Sequence, residues 1–153
     1  MSKPLYVLDT NVFINMQRRT PRDIPVFKQL WDKLETMIED GVVVSSVEVF
    51  DELCRGDDTL IEWIKKRKLA FLPSDEQVQL KVREILKRFP DLITGSKKAN
   101  TADPFVIALA SILGCILVSD ETRAGDRNPA RIPNVCDVFD VPIIKYVDFL
   151  RNT

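Results

Sequence analysis

Five carboxylates in this 153-residue chain stand where acid chemistry would want them: Asp9, Glu52, Asp103 and the adjacent pair Asp120 and Glu121. Asp9, Asp103 and the Asp120/Glu121 pair lie at the boundaries of apolar runs, and Glu52 on a helix. Carboxylates brought into close contact cannot all stay ionised, so some take up protons or a divalent cation joins them. A site of hard oxygen ligands suits Mg²⁺ or Mn²⁺, and the chemistry that follows is phosphodiester hydrolysis. The sequence contains no histidine. That excludes Ser-His-Asp and Cys-His triads, histidine-based general acid–base ribonuclease chemistry and His-containing zinc sites. Asp9, Glu52, Asp103, Asp120 and Glu121 are therefore the candidate catalytic and metal-binding residues.

The elements that must position them alternate between strand and helix. Leu5–Leu8 is a short apolar strand ending at Asp9, and the cap-type residues Thr10 and Asn11 lead into a helix from Val12. Asp9 thus falls at the carboxyl end of a strand, where open α/β sheets bind ligands, although read by itself it is also an ordinary turn residue. A helix follows from Pro25 to about Asp40, with Trp31 as a core or interface anchor, and then a strand at Val42–Val44. Ser45 and Ser46 cap the next helix, Val47 to about Arg55. There Glu48 and Glu52 share a face at i,i+4, either as a solvated acidic face or as a pair whose repulsion a metal offsets. Asp57–Lys68 reads as a capped helix, from Asp58-Thr59 onward, ending in a basic turn that complements the macrodipole and needs no partner to explain it, and Phe71–Pro73 as a connector or edge strand. Ser74, with Gln77 three residues on, predicts a capping box for a helix that stops at Pro90.

The stretch Thr101–Glu121 is the most informative. Asp103 is the expected N-cap, Pro104 the first helical residue, and Gly114 the stop. Cys115–Val118 is apolar throughout, as a strand covered on both faces would be. A helix antiparallel to the strand after it starts near that strand's far end, which brings Asp103 towards Asp120 and Glu121. Ile132–Cys136 reads as a small helix or turn, Val141–Ile144 as a last strand and Tyr146–Arg151 as a terminal helix. The whole is expected to be one α/β domain over residues 1–153, a three-layer α/β/α sandwich with a mainly parallel central sheet.

Composition adds bounds. Net charge is −1, so any polyanion site must come from local clustering. Lys97 and Lys98 precede Asp103, and Arg123, Arg127 and Arg131 follow Glu121; these are candidate contacts to a nucleic-acid backbone, or else solvated loop charge. Arg18, Arg19 and Arg22 are further candidates. The three cysteines, Cys54, Cys115 and Cys136, read as buried small hydrophobes, the pattern of a reducing, cytoplasmic setting. No apolar run reaches the ~20 residues of a spanning helix, and the first residues lack a signal-peptide pattern.

Taken together, Leu-Asp-Thr-Asn at Leu8–Asn11, Ser46 with Glu52 six residues on, Asp103 followed by Ile107-Ala108-Leu109-Ala110, and Val118-Ser119-Asp120-Glu121 resemble the PIN domain family. The similarity is to VapC-type toxins, in a divergent subfamily, and spans Leu5 to about Leu150. It implies a metal-dependent endoribonuclease using Mg²⁺ or Mn²⁺. The ligands would be Asp9, Glu52, Asp103 and a fourth acid, with Asn11 and Ser119 supporting them by hydrogen bonds. The family's fourth motif favours Glu121 by position, while Asp120 has the expected identity; both stay open. The resemblance also implies RNA as substrate, a small antitoxin as partner and a possible homodimer, with no membrane association. The alternatives from the residues are a non-catalytic RNA- or protein-binding module and a receiver-like phosphoacceptor.

Overall fold

The computed structural model describes residues 3–56, 58–94 and 101–153. Its sheet is built from β1 (Tyr6–Leu8), β2 (Val43–Ser46), β3 (Phe71–Leu72), β4 (Ile116–Val118) and β5 (Ile143–Ile144), in the spatial order β3-β2-β1-β4-β5. Every pairing is parallel, so the sheet is wholly rather than mainly parallel. Parallel strands need both faces covered. The apolar runs predicted as strands accordingly have Val7, Leu8, Leu117 and Val118 fully buried. With Leu8 opposite Val118 in the register, β1 and β4 end side by side at the centre of the sheet.

The helices are α1 (Thr10–Arg19), α2 (Lys28–Glu39), α3 (Val47–Cys54), α4 (Asp58–Lys65), α5 (Glu76–Arg88), α6 (Asp91–Thr94), α7 (Asp103–Leu113), α8 (Ile132–Phe139) and α9 (Tyr146–Arg151). They sandwich the sheet. α7 is the central one, packed on β1, β2, β4, α5 and α8. Its Val106, Ile107, Ala108, Leu109 and Ala110 are all buried, and a fully buried aliphatic side chain such as Ile107 is worth about 1.5–3 kcal/mol of transfer free energy. Gly114 ends the helix in the left-handed region at φ 68°, where a side chain would be strained. Trp31 is a core anchor: it is buried, packs edge-on against Trp63 at 5.1 Å, and donates its indole N–H to the Thr20 carbonyl.

Several expected boundaries move, each because a different polar group takes the cap. Asp9, not Thr10 or Asn11, caps α1, so that helix begins two residues early. Asp75 rather than Ser74 caps α5, accepting the Val78 N–H, while the Ser74 hydroxyl donates to Glu48 on α3. Glu48 and Glu52 thus serve different partners, Glu52 accepting from Thr10, Thr101 and Ala102. Arg67, in the basic run read as needing no partner, pairs with Glu35 at 2.8 Å and lies over the Trp63 ring.

Candidate active site

The carboxyl ends of the two central strands deliver the first groups. Asp9 follows β1 directly, its backbone fixed by its N–H donating to the Val118 carbonyl. The buried hydroxyl of Ser45 donates to the carbonyl of Leu8 just before it. The Asp9 carboxylate then works on both oxygens: Oδ1 accepts the Thr10 N–H at 2.8 Å, and Oδ2 accepts the hydroxyl of Ser119, the residue after β4, at 2.9 Å. One capping carboxylate thus joins the ends of two adjacent strands.

Asp103 arrives from the other side. It is the first residue of α7, one position later than the N-cap expected for it; Ala102 occupies the cap and offers no side chain to it. The missing cap comes from α3. Glu52 accepts the Ala102 N–H at 2.8 Å, the Thr101 hydroxyl at 3.2 Å and the Thr10 hydroxyl at 2.7 Å. The Glu52 carboxylate therefore completes the start of α7 from a distant helix, as the glutamate of a capping box does from within its own. Asp103 is left 93% buried with its carboxyl in the cleft rather than on the backbone.

Glu121 closes the set. One carboxylate oxygen from each of Asp9, Asp103 and Glu121 lies within 4.8 Å of the other two. The three line a cavity of about 150 Å³ together with Thr10, Asn11, Ile14 and Glu52. Asp120, its neighbour, faces away: Oδ2 accepts the Asn15 amide at 2.8 Å and Oδ1 the Tyr146 N–H at the start of α9. Its own N–H donates to Asn11 Oδ1. Asn11 thus holds the turn that carries both acids and lines the same cavity as Asp9 and Asp103.

Proton affinities follow from this crowding. Burial, then the charge of Glu121, pushes Asp9 up to about 7, against the opposing pull of its bonds from Ser119 and Thr10. Asp103 is driven up further, first by burial and then by Asp9, Glu121 and Glu52. Burial also raises Glu121, while the Ile132 N–H and the charge of Arg131 oppose it. Glu121 Oε2 is buried with no hydrogen-bond partner. Such an orphaned oxygen, beside two carboxyls that burial holds towards the neutral form, fits a divalent cation.

The basic candidates separate. Arg123 forms a two-pronged pair with Asp137 on α8, its Nε at 2.8 Å from Oδ2. Arg127 is exposed, and Arg131 donates to the Thr122 hydroxyl. Lys97 and Lys98 lie outside the described residues. Arg18 and Arg19 stand at the end of α1, about 15 Å along the helix from Asp9, and Arg22 beyond them donates to the Thr59 carbonyl. Those three do not flank the acids. Thr101 escapes a reading of the sequence that looks for acids, while Thr10 and Ser45 read there as cap residues and not as supports of Asp9 and Glu52.

A family model described as a domain of unknown function, DUF4411, matches residues 6–153. Among curated proteins there is no match. Solved structures do match. That of FitAB bound to an IR36 DNA fragment has a TM-score of 0.57 at 19% identity, covering 93% of this chain and 95% of that one. FitAcB from Neisseria gonorrhoeae gives 0.55 at 19%, covering 94% and 99%. VapBC2 from Rickettsia felis, bound to a DNA fragment from its promoter, gives 0.54 at 14%, covering 92% and 98%. At these identities the likeness is one of fold, and the fold is PIN-like.

Proposed function

This chain belongs to the family described as a domain of unknown function, DUF4411, and we propose that it is a metal-dependent endoribonuclease, the toxin of a toxin–antitoxin pair. One observation carries the reading: carboxylates from three separate elements converge in one cleft, and one of their buried oxygens has no partner. Asp9, Asp103 and Glu121 would hold Mg²⁺ or Mn²⁺. When bound, such an ion polarises a phosphodiester and makes a nearby water more acidic.

The chain's own groups set the geometry for that. Ser119 and Thr10 fix the Asp9 carboxylate, leaving it little freedom to swing out of the cleft. Glu52, its oxygens already committed to three donors, holds the start of α7 and so places Asp103. Asp120 ties α1 to α9 and keeps the turn before Glu121 in place. Arg123 and Arg127, beyond Glu121, would meet backbone phosphates, which position RNA without reading its sequence. The inferred partner is a small antitoxin. Its support is the fold shared with FitAB and VapBC2.

The test is cleavage of structured and tRNA-like RNAs with Mn²⁺ or Mg²⁺, comparing the wild type with Asp9→Asn and Asp103→Asn. Both variants are expected to lose metal-dependent cleavage while their circular dichroism stays that of the wild type. Undiminished cleavage by both would overturn the assignment.

A further inference from the structure

Glu121 faces two ways. On one side it lines the acid cleft; on the other, with Ser119, the residue that holds Asp9, it lines a second cavity of about 370 Å³ at the carboxyl edge of β5. Its walls are apolar where Pro133, Ile143 and Ile144 meet, and polar where Thr122, Arg123 and Lys145 do. The size lies at the small end of small-molecule sites, room for one nucleotide rather than two.

This cavity is built rather than incidental. The Asp137 carboxylate on α8 grips Arg123 by two of its donors and leaves one guanidinium nitrogen unengaged by that pair. The Asn134 side chain accepts the Ala124 N–H at 2.9 Å and donates to the Ala124 carbonyl at 3.2 Å, so the backbone just beyond Arg123 is fastened to the same helix. Lys145 is exposed, and Asp148, the other acid on this wall, is paired with Arg151. What remains for a ligand is a cationic side, an apolar side and a floor shared with the acids.

Resting on the reading above, we propose that this cavity seats one nucleotide of the RNA substrate, adjacent to the phosphodiester held at Asp9, Asp103 and Glu121. Its base lies against Pro133, Ile143 and Ile144, and its phosphate meets Arg123 and Lys145. Glu121 is the partition between the nucleotide and the reacting bond, so occupancy of the cavity registers the strand on the acids. Cleavage preference is then set by which base fits this wall.

The test uses two readouts on the full chain. Isoleucine methyl groups are followed by NMR as AMP, CMP, GMP or UMP is added without divalent metal, for the wild type and Lys145→Glu. Saturable shifts at Ile143 and Ile144 with at least one nucleotide, weakened about tenfold or more in Lys145→Glu, are expected. Cleavage kinetics of Lys145→Glu should show a rise in KM that exceeds any fall in kcat, and Ile144→Trp, which fills the cavity, should change the preferred base at the cleavage site. Absence of methyl shifts with all four nucleotides overturns the proposal, as does an unchanged KM in Lys145→Glu with unchanged preference in Ile144→Trp. If the wild type binds nucleotides here but cleaves no RNA, the ribonuclease reading fails while the nucleotide site stands.

Discussion

The carboxylate of Glu52 on α3 accepts the backbone N–H of Ala102, fifty residues away, at 2.8 Å. Ala102 is the N-cap of α7 and has no side chain able to cap it. A single glutamate thus fixes where the central helix begins, and with it the position of Asp103.

Removing that carboxylate should destabilise the fold as well as the site. Glu52→Ala strands the part-buried Ala102 N–H and Thr10 hydroxyl, while the exposed Thr101 hydroxyl turns to water, and leaving such buried groups unpaired costs about 1–3 kcal/mol. Urea unfolding of the metal-free protein should show this loss. Thr101→Val, which deletes only the longest of the three bonds, should cost about 1 kcal/mol or less.

Stability should fall as pH rises. The native forms of Asp9, Asp103 and Glu121 hold protons above their ordinary carboxylate values. Between pH 4 and 7, for Asp9, the folded state therefore binds more protons than the unfolded state, and raising the pH favours unfolding. In chelator, the melting temperature at pH 8 should lie below that at pH 5.5 by about 4 °C or more. Mn²⁺ should raise it more at pH 8 than at pH 5.5, because ligands must shed protons to bind. Equal Mn²⁺ stabilisation at both values would argue against these acids as its site.

Asp120 and Glu121 should separate cleanly in a paired experiment. Asp120→Ala loses the bonds from Asn15 and Tyr146 and should unfold about 1–3 kcal/mol more easily, with Mn²⁺ affinity little changed. Glu121→Gln removes one of three crowded acids and should leave metal-free stability equal or higher, with Mn²⁺ affinity down at least tenfold. Calorimetric titration of both variants reads the difference, and the opposite pattern would move the metal site to Asp120.

Ser119→Ala should act through Asp9. Its hydroxyl holds the charged carboxylate and lowers its proton affinity. The variant should therefore bind Mn²⁺ with a pH dependence displaced upward, a shift that a purely structural defect would not produce.

The strand–helix alternation was legible because the buried parallel strands are short and uninterrupted: Tyr6–Leu8 and Ile116–Val118 are apolar throughout. Asp9 and Asp103 could be found because each stands at the border of such a run. Asp120 and Glu121 could not be told apart in the same way. Adjacent residues leaving a strand point to opposite sides, so one of them had to depart. Which one is decided by Asn11, Asn15 and the start of α9, partners 26 to 109 residues away in sequence. Glu52 was found as an acid, but its bonds to Thr10, Thr101 and Ala102 are tertiary and left no local trace. Cap positions slipped for a related reason: Ser74 has the right chemistry for a cap, and Glu48 claims it first.

Asn134 gathers both ends of the excursion between Ala124 and Arg131, since its side-chain oxygen also accepts the Arg131 N–H at 3.0 Å. One amide side chain works there like a drawstring. Residues between those ends can change in number without pulling on Glu121 on one side or α8 on the other. That makes 125–130 the natural place to splice in a reporter peptide or a crosslinker, within sight of the acids and mechanically insulated from them.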